Sequence, residues 1–406
     1  MRCVLAIVVL SAVAVQSWDV AVAVQNRLEF YSDADKITVE SDVFRNARAL
    51  TYDAEHEMIL FIKKHTDDAS ICSFEMSTQE HKVLVTGKDI GGFTIDPIRE
   101  LLYWTDIVER SIFWTSFKQG YKETDTKNLW MKMEDEIPRA IAVDICKEYV
   151  YWTNTNLTRP TVERARFDGT EKEVLIDASI HNPIILTIDH QTKKMFLADN
   201  IGNKRYRIFS TTFDGKNRTD LISGDSGADF ESNALTISKD LMYLIDGGTH
   251  AVWEHSKYQI TESLKTIEYF TEVPSGIVAK YTTEEQIQDK EECKPVMTLL
   301  QNDKIICVHG DTANGTSCSC APGYIGERCD VSVCQNYCIL GTCSVSEEGK
   351  PSCRCESGYS GARCDINMCF NYCLNNGVCS TVDNQPLCQC SEIYRGSRCE
   401  AIKNDA

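Results

Sequence analysis

The stretch "LLYWTD" at residues 101–106 places an apolar pair, two adjacent aromatic residues, a threonine and an acid in six positions. This pattern is typical of a short β-strand that ends in polar residues. Segments of the same type recur along the chain and align on the aromatic pair: "LEFYSD" (28–33), "MILFIK" (58–63), "YVYWTN" (149–154), "KMFLAD" (194–199) and "LMYLID" (241–246). Six copies indicate a repeat protein.

A second repeated feature, an aspartate at a fixed spacing, accompanies four of these segments. An aspartate, Asp53, Asp96, Asp144 or Asp189, ends a short apolar strand seven residues before the first position of the aromatic pair, as in "GFTID". Successive marks, continued through Ser238 and Lys280, are 42 to 49 residues apart. That period is about the length of one propeller blade, so the sequence predicts an all-β, six-bladed propeller.

The chain ends predict how the ring closes. The last inner-strand signal, "SGIVAK" at 275–280, is followed by no aromatic segment, and "LEFYSD" is preceded by no aspartate-ended strand. Joined, the two make one blade, so we expect the N-terminal strands to complete the blade begun at Gly276. Closure of this kind removes an exposed sheet edge that would otherwise promote aggregation.

The repeats, with intact YWT cores at 103–105 and 151–153, resemble the low-density-lipoprotein-receptor class B (YWTD) β-propeller, here over residues 18–285. The resemblance implies that the motif aspartate ties neighbouring blades by hydrogen bonds. Its counterparts in this chain are Asp33, Asp106, Asp199 and Asp246. Asn154 and Lys63 stand at the same place in the other two copies, and we expect weaker joints there.

Seventeen of the 20 cysteines follow residue 292, and two sets of six share one spacing. Both sets, in residues 331–365 and 366–400, resemble epidermal-growth-factor-like (EGF-like) modules and end in "CESGYSGARC" and "CSEIYRGSRC". Six cysteines allow fifteen pairings. The resemblance implies first to third, second to fourth and fifth to sixth: Cys334–Cys343, Cys338–Cys353, Cys355–Cys364, Cys369–Cys379, Cys373–Cys388 and Cys390–Cys399. A short tail follows at 401–406.

A preceding unit, residues 290–330, has five cysteines and the tail "CAPGYIGERC". The second cysteine of an EGF-like module is missing near Asp303. The resemblance therefore implies bonds for Cys293, Cys307, Cys320 and Cys329 and leaves Cys318 without its usual partner. The sequence leaves open whether Cys72 and Cys146 pair with each other or one of them reaches Cys318.

The N-terminus predicts entry into the secretory pathway. Met1 and Arg2 precede the uncharged run "CVLAIVVLSAVAVQSW", the layout of a signal peptide. We expect cleavage after residue 17, with a second possible site at Ala23. No later apolar run is long enough to predict a membrane span.

The net charge of −18 and pI near 4.9 argue against nucleic acid as a partner and favour basic or neutral protein surfaces. Three sequons, at Asn156, Asn217 and Asn314, are candidate glycosylation sites. The sequence "DINMC" at 365–369 resembles a calcium-binding lead-in, but Met368 stands where an oxygen ligand is needed, so we expect no cofactor.

An enzyme is not expected. "GDSG" at 224–227 matches the nucleophile turn of chymotrypsin-like proteases over four residues only, and no histidine has the context of the catalytic base. The module order resembles insect cell-surface proteins of type I topology implicated in germ-cell development. We therefore expect an extracellular binding protein whose propeller recognises a protein partner. An EGF-type receptor ligand carried by a propeller, or a matrix or adhesion protein, is the alternative.

Overall fold

A computed structural model describes residues 18–32, 35–117, 127–202, 205–225, 234–258, 264–287, 290–296, 307–313, 317–329, 331–335, 337–382 and 385–403. The predicted signal peptide, residues 1–17, lies outside the described residues. The chain divides into two compact units, residues 1–303 and 304–406. Each unit is described by itself below.

The first unit is a ring of six four-stranded antiparallel sheets, which confirms the predicted six-bladed propeller. Its N-terminal strands are β1 Val20–Val24, β2 Arg27–Tyr31 and β3 Lys36–Glu40. Blade 1 contains β4 Ala47–Asp53, β5 Met58–Lys64, β6 Ala69–Glu75 and β7 His81–Gly87. Blade 2 contains β8 Ile90–Asp96, β9 Leu101–Asp106, β10 Ser111–Ser116 and β11 Asn128–Lys132.

Three further blades complete the ring. Blade 3 contains β12 Pro138–Asp144, β13 Tyr149–Asn154, β14 Thr161–Arg166 and β15 Glu173–Ile176. Blade 4 contains β16 Pro183–Asp189, β17 Lys194–Gly202, β18 Arg205–Thr212 and β19 Thr219–Asp225. Blade 5 contains β20 Leu235–Ile237, β21 Leu241–Asp246, β22 Ala251–Ser256 and β23 Lys265–Tyr269, and β24 Pro274–Ala279 begins blade 6.

The ring closes without a covalent bond between the chain ends. The strand order of blade 6 is β24-β1-β2-β3, and Val22 of β1 lies opposite Ile277 of β24. The predicted closure by the N-terminal strands is thus confirmed. Every residue of β1 is buried, because this strand lies between two neighbours of its own sheet and between two blades.

One copy of the repeat was assigned to the wrong strand. In blades 1 to 5 the aromatic segment forms the second strand, counted from the channel, but "LEFYS" lies on β2, the third strand of blade 6. The second strand there is β1, with the sequence "VAVAV". Asp33 lies outside the described residues, and the strand that precedes it is not the motif strand. The aromatic pair alone could not distinguish the two strands, because both are buried.

The adjacent aromatic residues Tyr103 and Trp104 pack against the blades on both sides of blade 2. Successive side chains of a strand point to opposite faces of its sheet. Trp104 packs with Leu60 and Ile62 of blade 1, whereas the ring centre of Tyr103 lies 5.8 Å from that of Phe167 in blade 3. Both aromatic side chains are fully buried, so this strand contributes to the core on both faces.

The Thr-Asp ending of the motif fastens adjacent blades by hydrogen bonds. The Thr105 hydroxyl donates to the Arg139 carbonyl of blade 3 (2.6 Å). Asp106 accepts from the backbone N–H of Lys88, in the link from blade 1 (2.8 Å), and from that of Glu109 (2.9 Å). Its counterpart Asp199 accepts from the N–H groups of His181 and Asn182.

Asn154 replaces the motif aspartate without loss of these contacts. Its Oδ1 accepts from the N–H groups of Ile137 (2.9 Å) and Asn156 (3.0 Å), and its Nδ2 donates to the Arg159 carbonyl. The weaker joint expected at this position is therefore not seen. Lys63, by contrast, extends to the Asp42 carbonyl at 3.4 Å. Asp246 accepts from Gly248 N–H and Thr249 within its own turn.

A substitution at Asp106 tests the motif directly. Asp106→Ala should lower the free energy of unfolding by about 2–3 kcal/mol, because two N–H groups lose their acceptor in a buried joint. Asp106→Asn, which introduces the residue found at 154, keeps one acceptor oxygen for these N–H groups and should cost less. Urea unfolding followed by tryptophan fluorescence measures both, and equal losses would contradict this role.

The second unit consists of short hairpins held by disulfide bonds. Its strands are β25 Gly310–Ala313, β26 Ser317–Cys320, β27 Tyr324–Ile325, β28 Val331–Ser332, β29 Gly341–Val345, β30 Pro351–Cys355, β31 Tyr359–Ser360, β32 Ile366–Asn367, β33 Val378–Val382, β34 Gln385–Gln389, β35 Tyr394–Arg395 and β36 Ala401–Ile402. The bonds of the last two modules are the six pairs implied by the EGF-like resemblance. Disulfides replace the hydrophobic core that such small modules lack.

The preceding unit differs from the expectation. Cys318 does have a partner: it bonds Cys307, and Cys320 bonds Cys329. Cys293 takes no part in this module, because it bonds Cys146 of the propeller. The assignment of Cys293 to an EGF-like module beginning at residue 290 was therefore wrong. Cys72 pairs with neither of the residues considered for it; its thiol is free and buried in β6, and burial raises its pKa to about 11.

Candidate ligand-binding channel

An axial channel runs through the propeller, bounded by the innermost strand of each blade: β4, β8, β12, β16, β20 and β24. Its cavity volume is about 1490 Å³. Pockets for small molecules usually measure roughly 300–1,000 Å³. The channel is thus large enough to admit side chains or a loop of another protein.

The end of the channel where the inner strands begin carries positive charge. Five basic residues line it. Arg45 lies just before β4, Arg48 and Arg139 lie near the starts of β4 and β12, and Lys63 and Lys64 end β5. We call these five residues the basic mouth. Among the described residues that line the channel, Asp42 carries the only carboxylate.

Contacts within the basic mouth leave much of its charge accessible. Arg45 pairs with Asp42 at 3.1 Å, and its side chain is 69% exposed. Asp89 lies 3.5 Å from Arg48 and 3.6 Å from Lys64, whose side chain is 51% exposed. Arg48 also donates to the Ile90 carbonyl of blade 2. Acids also flank the mouth, since Asp67 and Asp68 are exposed in the turn after Lys64. Among the described residues that line the channel itself, five cations face one carboxylate, in a protein whose net charge is −18.

The opposite end of the channel is partly covered by residues 281–287 and 290–296, here called the strap. It contains the helix α1 Thr283–Ile287 and the 3-10 turn Glu291–Cys293. Tyr281 and Gln286 line the channel at this end. The strap leaves β24 in blade 6 and is bonded through Cys293 to Cys146 in blade 3. Since blades 3 and 6 face each other across a ring of six, the strap crosses this end of the channel.

Gln191, in the turn after β16, is the main polar contact of the strap. Its Oε1 accepts from Tyr281 OH (2.9 Å) and Lys257 Nζ (3.2 Å), and its carbonyl accepts from Lys290 Nζ (3.0 Å). Lys193 adds an ion pair with Glu292. These contacts fix the strap on blade 4 between its two attachment points.

A buried ion pair lies beside the strap. Lys257 Nζ is 2.9 Å from Asp189 Oδ2, and neither side chain is exposed to solvent. Burial lowers the pKa of Lys257, whereas the Asp189 carboxylate raises it. The ammonium also donates to the Ser238 carbonyl, so the pair is hydrogen-bonded as well as charged. Such a pair is sensitive to loss of one partner and orients the chain locally.

His190 lies next to the Cys146–Cys293 bond. The two sulfurs and a ring nitrogen of His190 all lie within 4.8 Å of one another, a spacing that could suit a metal ion. In the folded chain both sulfurs belong to the disulfide bond, so this group acts as part of the strap attachment. Burial lowers the pKa of His190, against the opposing effect of Asp144, whose Oδ1 lies 3.8 Å away.

The predicted glycosylation sites lie apart from the channel lining. Asn156 is in the turn after β13, where its Nδ2 donates to the Asp135 carbonyl (2.7 Å) and its Oδ1 accepts from Thr158. Asn217 is exposed in the turn between β18 and β19, at the strap end of the ring. Asn314 lies outside the described residues. Glycosylation of these asparagines remains a prediction.

Two other sequence motifs occupy unremarkable places. Asp365 and Met368 flank the short strand β32. Gly224 and Asp225 end β19, while Ser226 and Gly227 lie outside the described residues. Sequence reasoning missed the basic mouth, because its residues come from different strands and carry no motif. It missed the strap, because the bond that attaches the strap joins residues 147 positions apart.

The fold and channel define the class: a six-bladed YWTD β-propeller followed by small disulfide-rich EGF-like modules. The chain is similar to proteins described as "Protein cueball". It is 29% identical over 397 residues to that of Drosophila persimilis and 27% identical over 410 residues to that of Drosophila willistoni. These alignments cover 82% and 83% of this chain. They cover 61% and 62% of the relatives, so the chain spans about three fifths of their length. No protein-family model matches the chain.

Solved structures support the fold. The propeller resembles a chain in the crystal structure of a nidogen/laminin complex, with a TM-score of 0.53 and 17% identity over 64% of this chain and 97% of that one. It also resembles TolB from Acinetobacter baumannii, with a TM-score of 0.51 and 12% identity over 64% of this chain and 66% of that one. At these identities the likeness establishes architecture alone.

No helix within the described parts of the chain has the length and apolar character needed to cross a membrane. The described residues form nine disulfide bonds. Bonds in this number are characteristic of proteins that fold in an oxidising compartment such as the secretory pathway.

Proposed function

We propose that this chain is a non-enzymatic extracellular binding protein whose propeller binds a protein partner at the basic mouth. The observation that carries the proposal is the asymmetry of the channel. One end is lined by charged side chains from strand ends and adjoining loops, and the other is covered in part by the strap. Loops held on a rigid ring lose little freedom on binding, which lowers the cost of ordering them.

The comparisons support the same class of function. A chain of the nidogen/laminin complex resembles this propeller, and the likeness to cueball proteins covers 82% of this chain. Attachment to the cell surface in type I orientation and a role in germ-cell development, both implied by the likeness of module order, are the finer parts of the proposal. Because the chain spans only part of those relatives, what the whole relatives bind enters only as part of this proposal.

A glycan placed at the mouth tests the proposal. Lys64→Asn creates the sequon Asn-His-Thr at 64–66, on a side chain that is 51% exposed at the basic mouth. The bulky glycan should prevent cross-linking of the full chain to its partner on native cell surfaces. Capture is measured by mass spectrometry of the cross-linked products, after glycan occupancy has been verified.

Two controls separate a blocked mouth from other effects. Lys64→Gln removes the same cation without adding a glycan, and Asn217→Gln removes any glycan at the strap end. Asn217→Gln should capture the partner like the parent, and Lys64→Gln should lose much less capture than the glycosylated protein. Undiminished capture by the glycosylated Lys64→Asn protein would refute binding at the mouth.

The alternative, a receptor ligand carried by the EGF-like modules, has one observation in its favour. The last module exposes several large apolar side chains, including Phe370 (78%), Val378 (65%) and Leu387 (56%). Cross-links from the partner to this module, together with insensitivity to the glycan at residue 64, would favour that alternative.

A further inference from the structure

We infer that the partner inserts a short acidic segment, bearing aspartate or glutamate carboxylates, into the basic mouth. This inference rests on the proposed function and specifies the chemistry of the bound segment. It also reverses the expectation from net charge, which favoured basic or neutral surfaces. The difference arises because a short segment responds to the charges within about 8 Å at physiological salt, not to the whole protein.

The first argument is local charge. The chain has 60 acidic and 42 basic residues, yet five of the basic residues line this one mouth. Asp42 and Asp89 are engaged with Arg45, Arg48 and Lys64, and two further acids, Asp67 and Asp68, lie in the exposed turn after Lys64. A concave site focuses the field of such a cluster and raises the local concentration of oppositely charged ligands.

The second argument is donor capacity. An arginine has five N–H donors and a lysine three. Lys63 donates to the Asp42 carbonyl and Arg48 to the Ile90 carbonyl, while the side chains of Arg45 and Lys64 remain more than half exposed. The cluster therefore offers charged donors to a ligand carboxylate, and arginine suits it particularly because its donors match two carboxylate oxygens.

The third argument is the fixed position of Arg139 beside blade 2. The inner strand of blade 2 begins with Ile90 and is followed by Gly91 and Gly92, which also line the channel. A Cβ atom on Gly92 would lie 2.8 Å from the Arg139 carbonyl, so blade 3 can approach this closely only because the residue is glycine. The backbone of Arg139 is therefore packed closely against the inner strand of blade 2 at the mouth.

A short acidic peptide fits better than a long polyanion. Three consecutive acids, Glu134, Asp135 and Glu136, lie in the link to blade 3 at the same end of the ring. An extended sulfated chain crossing this face would meet them and the field of a protein with net charge −18. A segment that enters only the mouth avoids this repulsion.

The test uses the full chain and a defined probe, a fluorescein-labelled peptide of alternating aspartate and glutamate, with its asparagine/glutamine isostere and a heparin oligosaccharide for comparison. Anisotropy should show binding of the acidic peptide that weakens as salt increases. The triple variant Arg45→Gln, Lys63→Gln, Lys64→Gln should bind it at least about tenfold more weakly.

A charge-matched control removes three exposed cations elsewhere: Lys216→Gln, Lys265→Gln and Lys350→Gln, whose side chains are 78%, 76% and 77% exposed. It changes net charge equally and should bind the peptide like the parent. Equal binding of the isostere, equal losses in the two triple variants, or tighter binding of heparin than of the peptide would overturn the inference.

The outcomes for the two proposals are distinguishable. If the glycan at residue 64 blocks the cell-surface partner but the mouth triple variant still captures it at parental level, the mouth is the site and the acidic chemistry is wrong. If the acidic peptide binds as expected but the partner is captured despite the glycan, the chemistry of the mouth stands and the proposed function fails.

Discussion

Val22→Asp should abolish secretion of folded protein. Val22 is fully buried on β1, opposite Ile277, in the core cluster that joins blades 5 and 6. A carboxylate at this position has no partner, and burial of an unpaired charge or polar acid costs several kcal/mol, on the order of half or more of a domain's stability. The ring then opens where β1 pairs with β24, and the edge of β24 becomes exposed.

Val83→Asp is the matched control. Val83 lies on the outermost strand of blade 1 and is 38% exposed, so its carboxylate can remain hydrated. We expect secretion close to that of the parent and a small change in thermal unfolding. Secretion yield and calorimetry of the two variants decide the matter: comparable yields and midpoints would show that β1 does not hold the ring closed.

The double variant Cys146→Ser, Cys293→Ser should lose about 4–5 kcal/mol of propeller stability, because the bond closes a loop of 147 residues in the unfolded chain. The strap should also become more accessible, since Tyr281 and Lys290 would be held by hydrogen bonds to Gln191 alone. Guanidinium unfolding measures the first effect and hydrogen exchange of residues 281–296 the second.

Cys320→Ser, Cys329→Ser serves as the control for this prediction. That bond closes a separation of 9 residues within the second unit, so its loss should leave the propeller transition unchanged. A propeller midpoint that shifts equally in both double variants would contradict the proposed tether. Protection of the strap from exchange in the Cys146/Cys293 variant would show that its polar contacts suffice.

The local repeat explains why so much of the propeller could be predicted. Each blade repeats an aspartate-ended inner strand and an aromatic second strand, and a four-stranded sheet buried on both faces must stack on its neighbours. The aspartates that end the inner strands do the same local work in each blade: Asp53, Asp96 and Asp144 each accept N–H groups of the following turn. Such turn contacts depend on residues adjacent in sequence.

The misassigned strand shows the limit of pattern reading. "VAVAV" on β1 has no aromatic pair, but its alternation places valines against blade 5 and alanines against blade 1. Space between the blades, not a motif, selects these side chains. "LEFYS" resembles the motif because the third strand is also buried, which sequence cannot distinguish from the second.

The sequence alone determined the six blades, the use of the N-terminal strands to close them and the EGF-like character of the last two modules, because these depend on short repeated patterns and cysteine spacing. Only the tertiary structure decided that Cys293 bonds Cys146, that the strap covers one end of the channel and that five cations meet at the other. Closing the ring brings together residues that are up to 147 positions apart, or on different blades, and no local pattern records such a distance.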